Sequence, residues 1–162
     1  MQGKKSAVCC LLLAVLFSAA ALQAQSKKKG NSFVCTEPNA ETLCTADNTC
    51  ASNGGTCTVD IKKDVDVSIT PSIRHAKKNQ LFCVKAGTQV TFDSTSKNTG
   101  FVLDFGPKSP FDRDDAIVGG NKKPDSATVK NPGCYRFSAG ACVSGGIYGM
   151  CSTQMAEMVV TK

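Results

Sequence analysis

Phe82-Cys83-Val84-Lys85-Ala86-Gly87-Thr88-Gln89-Val90-Thr91-Phe92 is the stretch that decides the fold class of this chain. Two short apolar runs, at residues 81–85 and 90–92, flank the turn sequence Lys85-Ala86-Gly87. Apolar and polar side chains that alternate with a period of two are typical of a strand with one buried face. The stretch therefore predicts two β-strands joined by a short turn.

The same pattern continues on both sides of this stretch. Turn signals such as Asn131-Pro132-Gly133 separate the runs, and no segment keeps a period of 3.6 residues. The other predicted strands lie at residues 65–70, 101–105, 116–118, 127–129, 134–137 and 155–161. Short strands separated by turns predict an all-β, antiparallel Greek-key β-sandwich. Its predicted core residues are Val65, Val67, Ile69, Val90, Phe92, Phe101, Leu103, Phe105 and Phe137.

The first 24 residues have the layout of a secretory signal peptide. Lys4 and Lys5 precede an apolar run at residues 7–22, which ends in small residues up to Ala24. The run is shorter than the roughly 20 residues of a membrane span, although an uncleaved anchor is the alternative. We expect cleavage after Ala24, no membrane span in the mature chain, and a secreted or periplasmic location.

Cleavage would remove Cys9 and Cys10 and leave an even set of eight cysteines, which in an exported chain predicts disulfides. The sequence does not fix their pairing, but local pairing is expected, with Cys142 to Cys151 the first choice and the first four cysteines mostly joined among themselves. A zinc site is the weaker alternative, because no pair has the spacing of a zinc knuckle. The disulfide candidates are Cys35, Cys44, Cys50, Cys57, Cys83, Cys134, Cys142 and Cys151.

Residues 25–58 differ from the rest of the chain, because they contain four cysteines and almost no large apolar side chains. Such a segment cannot build a core of its own and has to be cross-linked or docked onto one. The predicted organisation is a signal peptide at 1–24, a cysteine-rich N-terminal extension at 25–58 and a β-sandwich at 59–162.

Two pairs of predicted strands resemble the cupredoxin family. Residues 82–92 are similar to an early strand pair of that family, in which a Gly-Thr turn leads into a Val-x-Phe strand. Residues 133–137 and 155–160 are similar to its closing strands, between which the family carries its metal-ligand loop. The resemblance covers roughly residues 64 to 162 and implies a cupredoxin-like fold.

The resemblance also implies a type 1 copper site with two His, one Cys and an axial Met. This chain departs from that pattern, since Asn98, Thr99 and Gly100 stand where the first His is expected and the ligand loop contains none. We therefore expect no cofactor. The alternative is copper held by the sulfur atoms of Cys142, Cys151 and Met155, if the cysteines are reduced.

Other candidate chemistry is sparse. His75 is the only histidine, and no Gly-x-Ser-x-Gly motif accompanies it, so we expect no enzyme and no catalytic residues. Asp112, Asp114 and Asp115 form an acidic cluster that lacks the ligand spacing of a calcium loop and is interpreted as a solvated turn.

The charge pattern is also uninformative about a specific partner. The 17 basic and 13 acidic residues left after cleavage carry a mild excess charge of +4, without the basic stripe that nucleic-acid binding needs. The sequence predicts a non-catalytic binding or structural module with an unknown extracytoplasmic partner, the alternative being a copper-handling protein.

Overall fold

A computed structural model covers the chain, and residues 35, 39–50, 55–120, 122–144 and 150–162 are described. The predicted signal peptide at residues 1–24 lies outside these ranges, as does most of the loop between Cys142 and Cys151. Within the described ranges, no helix is long and apolar enough to cross a membrane.

The described residues form two β-sheets and one short 3-10 helix at Ala40–Leu43. In chain order the strands are β1 (Thr49–Cys50), β2 (Thr56–Lys63), β3 (Val67–Pro71), β4 (Phe82–Lys85), β5 (Gln89–Asp93), β6 (Thr99–Asp104), β7 (Ile117–Gly120), β8 (Asp125–Thr128), β9 (Gly133–Val143) and β10 (Met150–Thr161). The larger sheet has the order β1-β4-β10-β9-β6-β7 and the smaller sheet β3-β2-β5-β8.

The sandwich predicted from the sequence is confirmed, and its pairing adds a feature that the sequence did not predict. Five strand pairs are antiparallel, including the long β9–β10 hairpin, while β1 with β4, β4 with β10, and β2 with β5 are parallel. Parallel neighbours need a crossover between the sheets, so these pairs reflect Greek-key connections and not local turns.

The core lies between the two sheets and is built by alternation along each strand. On β6, Phe101 and Leu103 point inward while Gly100 and Val102 point outward. Burying each large apolar side chain contributes about 1.5 to 3 kcal/mol, offset by chain entropy. Phe105 stacks on Phe137 with ring centroids 4.5 Å apart, which carries the core to the end of the sandwich.

One predicted core residue is wrong. Val65 is 86% exposed, because it lies in the turn between β2 and β3 and not on a strand. Lys63 folds its ammonium group back onto this turn, where Nζ donates to the carbonyls of Asp64 and Val65 at 2.8 and 2.7 Å. The alternation at Val67 and Ile69 is real, but it does not extend to Val65.

β2 begins at Thr56, ahead of residue 59, where the sequence predicted the sandwich to begin. Cys57 faces the core beside Val59 and Ile61, so the last part of the cysteine-rich segment belongs to the smaller sheet. The low apolar content of residues 25–58 concealed this strand, since Thr56 and Thr58 occupy its exposed face.

All eight predicted cysteines form disulfides: Cys35–Cys134, Cys44–Cys83, Cys50–Cys57 and Cys142–Cys151. The expected local bridge from Cys142 to Cys151 is present. The expectation that the first four cysteines pair mostly among themselves is wrong, because Cys35 and Cys44 are joined to strands β9 and β4. The N-terminal segment packs on the larger sheet, and this proximity selects long-range partners.

The turn before β9 is held by a side chain. The Tyr135 hydroxyl donates a hydrogen bond to the Asn131 carbonyl at 2.9 Å, across the predicted turn Asn131-Pro132-Gly133. Burial raises the pKa of the Tyr135 hydroxyl above its ordinary value. This contact fixes where β9 enters the sheet.

Candidate functional site

The three sulfur residues predicted as an alternative copper site lie on the outer face of the larger sheet, the face turned away from the smaller sheet. Cys142 and Cys151 are directly opposite in the β9–β10 ladder, with their Cα atoms 4.1 Å apart and their sulfurs bonded. Met155 lies farther along β10, opposite Ser138 and partly buried. With both thiols oxidised, Met155 is the only soft metal ligand left in this set.

The position of the expected copper histidine is occupied by a backbone contact. Asn98 has φ +64°, and its carbonyl accepts hydrogen bonds from the backbone N and the hydroxyl of Ser144 at 2.8 and 3.3 Å. These bonds join the loop before β6 to the end of β9. The described residues contain no group of three His, Cys, Asp or Glu side chains able to hold a metal, and those at this end do not fit a type 1 copper centre.

A groove with a volume of about 590 Å³ opens on the outer face beside the Cys142–Cys151 bridge. Two valines form its apolar sides, since Val118 is 63% and Val102 is 43% exposed. It is lined by residues from four strands: Gly100, Phe101, Val102, Val118, Gly119, Gly140, Ala141, Cys142, Cys151, Ser152 and Thr153.

Glycines create the depth of this groove. Gly100 and Gly140 occupy outward positions on adjacent strands, where side chains would otherwise fill the space. A Cβ atom added to Gly140 would lie 3.3 Å from a methyl group of Val102, whereas one added to Gly100 would meet only the Gly119 carbonyl at 4.0 Å. The floor of the groove is therefore peptide backbone.

The groove is electrostatically neutral. The described lining residues include no acidic or basic side chain, and the two cysteines are joined as a disulfide that does not titrate. Polar contacts from the described lining are limited to backbone groups and the Thr153 side chain, because the Ser152 hydroxyl is buried on the inner side of β10. Such a lining favours a neutral, largely apolar molecule, since it offers no counter-ion to a charged one.

His75 does not lie in a nucleophilic site. It is exposed and borders a cleft of about 160 Å³ with Asp47 and Lys77, and the described lining of that cleft contains no serine or cysteine. The described lining therefore offers no serine hydroxyl or cysteine thiol for a histidine base to activate.

The acidic cluster is organised around a cation. Arg113 donates to Asp115 at 2.7 Å through both Nε and Nη2, and to Asp125 at 2.9 Å. These hydrogen bonds raise the pKa of the Arg113 guanidinium, and the bond from Arg113 lowers that of the Asp115 carboxyl. Asp112 lies 3.5 Å from Lys130. The turn is thus stabilised by ion pairs, of which the exposed ones contribute little to stability.

The sequence analysis did not predict the groove. Its residues are far apart in the chain and meet only because β6, β7, β9 and β10 are neighbours. A signal was nonetheless present: positions 100, 102, 140 and 142 fall on the face opposite the predicted core residues, yet carry glycine, valine and cysteine where a solvated face usually carries polar residues.

The solved structures that resemble this chain are distant from it in sequence. No protein-family model matches the chain, and no curated protein matches it. A solved structure of the reduced Cu(I) form, at pH 4, of a proline-to-glycine mutant of amicyanin is 17% identical, with a TM-score of 0.37, covering 80% of this chain and 90% of that one. The two-sheet β-sandwich rests on the strands and pairings of this chain, and its likeness to cupredoxins stays a prediction.

A second amicyanin structure, a Cu(I) methionine-to-glutamine mutant, is 19% identical with a TM-score of 0.37. The match covers 70% of this chain and 93% of that amicyanin chain. At these identities and TM-scores the likeness carries no conclusion about activity. The copper of those proteins belongs to them, and the function of this chain has to follow from its own residues.

Proposed function

We propose that this protein is an exported, non-catalytic binding module that holds a small, uncharged, apolar molecule in the outer groove of its larger sheet. One observation carries the proposal: two exposed valines face a groove of about 590 Å³ that has no ionisable group in its described lining. Small-molecule sites usually have volumes of roughly 300 to 1,000 Å³ and mostly apolar walls.

Removing the exposed valines from water supplies the affinity. Val118 and Val102 each lose apolar area to a bound ligand, which contributes on the order of 1 kcal/mol per side chain. The backbone floor at Gly100 and Gly140 allows a flat ligand to approach closely. Hydroxyl and backbone groups at the end of the groove orient it.

Export is supported by the four disulfides, which persist in oxidising compartments, and by the signal peptide that the sequence predicts at residues 1–24. We propose a secreted or periplasmic location. The mature chain is expected to begin near Gln25.

The alternative function is copper handling by Cys142, Cys151 and Met155. Metal analysis of the exported protein distinguishes it from the proposed function. Copper handling requires reduction of the Cys142–Cys151 bridge before two thiolates become available. The proposed module binds its apolar ligand with all four bridges intact and without metal.

The neutral dye Nile red tests the proposal by fluorescence titration of the exported chain after N-terminal sequencing. Val102→Asp and Val118→Asp should each weaken dye binding at least about tenfold, because a carboxylate in the groove has to be desolvated. Val65→Asp is the matched control, since Val65 is 86% exposed in the β2–β3 turn. Wild type that does not bind the dye, or equal losses in all three variants, would refute the proposal.

A further inference from the structure

Among the described residues, β10 has a strand partner on only one side over its first half. On the side away from β9, β4 pairs only with residues 158–161 of β10, and in the described ranges no other strand pairs with that side before Met158. β9, by contrast, pairs with β10 from Met150 to Val160. One side of the β10 backbone is therefore satisfied, and in the described ranges no strand pairs with the other side along residues 150–155.

Two observations show which backbone groups point to the open edge. Cys142 and Cys151 have Cα atoms 4.1 Å apart, the spacing of a pair whose N–H and C=O groups point away from each other. At the other end, the Ala86 N–H donates to the Thr161 carbonyl at 2.8 Å, on the β4 side. Odd-numbered residues thus present their backbone to the β4 side, which places those of Cys151, Thr153 and Met155 at the open edge.

Side chains cap comparable edges elsewhere in the described structure. Along β3, Asn79 accepts from the Ile69 N–H at 2.8 Å and donates to the Val67 carbonyl at 3.2 Å. Along β7, Asp125 accepts from the Val118 N–H at 3.2 Å. These caps prevent strand addition by satisfying backbone groups that another chain would otherwise pair with.

The β10 edge has a single cap of this kind in the described ranges. Residues 150–157 read Met-Cys-Ser-Thr-Gln-Met-Ala-Glu, with no lysine, arginine or proline. That cap is local: the Gln154 side-chain amide donates to the Met155 carbonyl at 3.0 Å, and it leaves the N–H groups of Cys151, Thr153 and Met155 uncapped by any described side chain. An unprotected edge of this length is a template for another strand.

We propose that this edge pairs with the same edge of a second copy of the chain, antiparallel and centred on Thr153. In that register Thr153 lies opposite Thr153 of the second copy, and Cys151 lies opposite Met155, so every paired residue has its backbone groups directed across the interface. Threonine pairs are favourable across antiparallel strands, and no charge lies between residues 151 and 155. The strand is self-complementary, as a two-fold interface requires.

The dimer joins the two larger sheets edge to edge. Edge pairing alone buries little area, so we expect a dissociation constant in the micromolar range or weaker. The pairing does not rest on the groove ligand, because it uses backbone groups and not the apolar groove walls.

Sedimentation velocity of the mature, fully oxidised chain from about 10 μM to 1 mM tests this interface. Thr153→Pro removes only an N–H that points to the open edge, so the β9 ladder is retained. Thr153→Lys adds a charge to the pairing position without a backbone constraint. Each should raise the dissociation constant at least about tenfold, whereas Thr58→Lys, on the exposed face of the other sheet, should leave it unchanged.

Hydrogen exchange gives the second readout. The Cys151 and Thr153 amides should become protected as the wild-type concentration rises and stay unprotected in Thr153→Lys. A wild type that is monomeric at about 1 mM, or a Thr153→Lys variant that still dimerises, overturns the proposal. Protection of these amides in the dilute monomer also overturns it, since the edge would then be covered within one chain.

Discussion

The outer face of the larger sheet has two halves: one is covered by the N-terminal segment, and the other is exposed to solvent. In the covered half, Ala40 from the 3-10 helix is buried against Cys83 and Val159, and Glu157 accepts a hydrogen bond from the Cys35 backbone N–H at 2.9 Å. In the open half, Val102 and Val118 face solvent around the groove. The same sheet therefore uses apolar outward residues for internal packing at one end and leaves them accessible at the other.

Three disulfide bridges distinguish these halves. Cys35–Cys134 and Cys44–Cys83 attach the N-terminal segment to the covered half, with sequence separations of 99 and 39. Cys142–Cys151 has a separation of 9 and closes only the β9–β10 hairpin at the open half. Long-range cross-links cover one half, while a local cross-link holds the shape of the other.

Removing the Cys35–Cys134 bridge, which holds the covered half, should cause the largest loss of stability. The Cys35→Ser, Cys134→Ser double variant should lose up to about 4 to 5 kcal/mol of unfolding free energy on the chain-entropy model, measured by urea denaturation. The Cys50→Ser, Cys57→Ser pair closes a separation of only 7 and should lose about 2 to 3 kcal/mol. Equal losses would mean that the long bridge adds no constraint beyond packing.

Filling the groove should have a smaller effect and one confined to the open half. Gly100→Val adds a side chain where only the Gly119 carbonyl lies within 4.0 Å, so Nile red affinity should fall several-fold without a lower urea midpoint. Gly55→Val is the control, since no atom lies within 4 Å of a Cβ added there. Dye affinity that survives Gly100→Val would place the dye outside the groove.

The smallest effect is expected at the covered end of β9. Tyr135→Phe removes the hydrogen bond to the Asn131 carbonyl and should cost about 1 kcal/mol in urea denaturation. Burial in the folded state raises the pKa of Tyr135. The contribution of the neutral Tyr135 hydroxyl to the unfolding free energy is therefore complete below the ordinary phenol pKa and is lost as the pH rises through the raised value. Wild type should therefore lose stability at alkaline pH by a component that Tyr135→Phe lacks. Identical alkaline profiles would exclude this role.

Local sequence patterns predicted the strands and one bridge because these depend on neighbours in the chain. The stretch 82–92 folds as β4, a turn at Gly87 with φ +87°, and β5, as its alternation predicts. Cys142 and Cys151 pair because the hairpin between them brings them into register. The absence of histidine at residues 98–100 is likewise read directly from the sequence.

The tertiary structure alone decided the long bridges, the groove and the open edge. Cys35 and Cys44 meet Cys134 and Cys83 because the N-terminal segment packs across the larger sheet, a contact that no local pattern encodes. The groove requires four strands to be neighbours, and the β10 edge is open because β4 begins only opposite Met158. Side-chain alternation determines which residues face inward, whereas strand order and strand length determine which outward residues meet and which backbone groups stay unpaired.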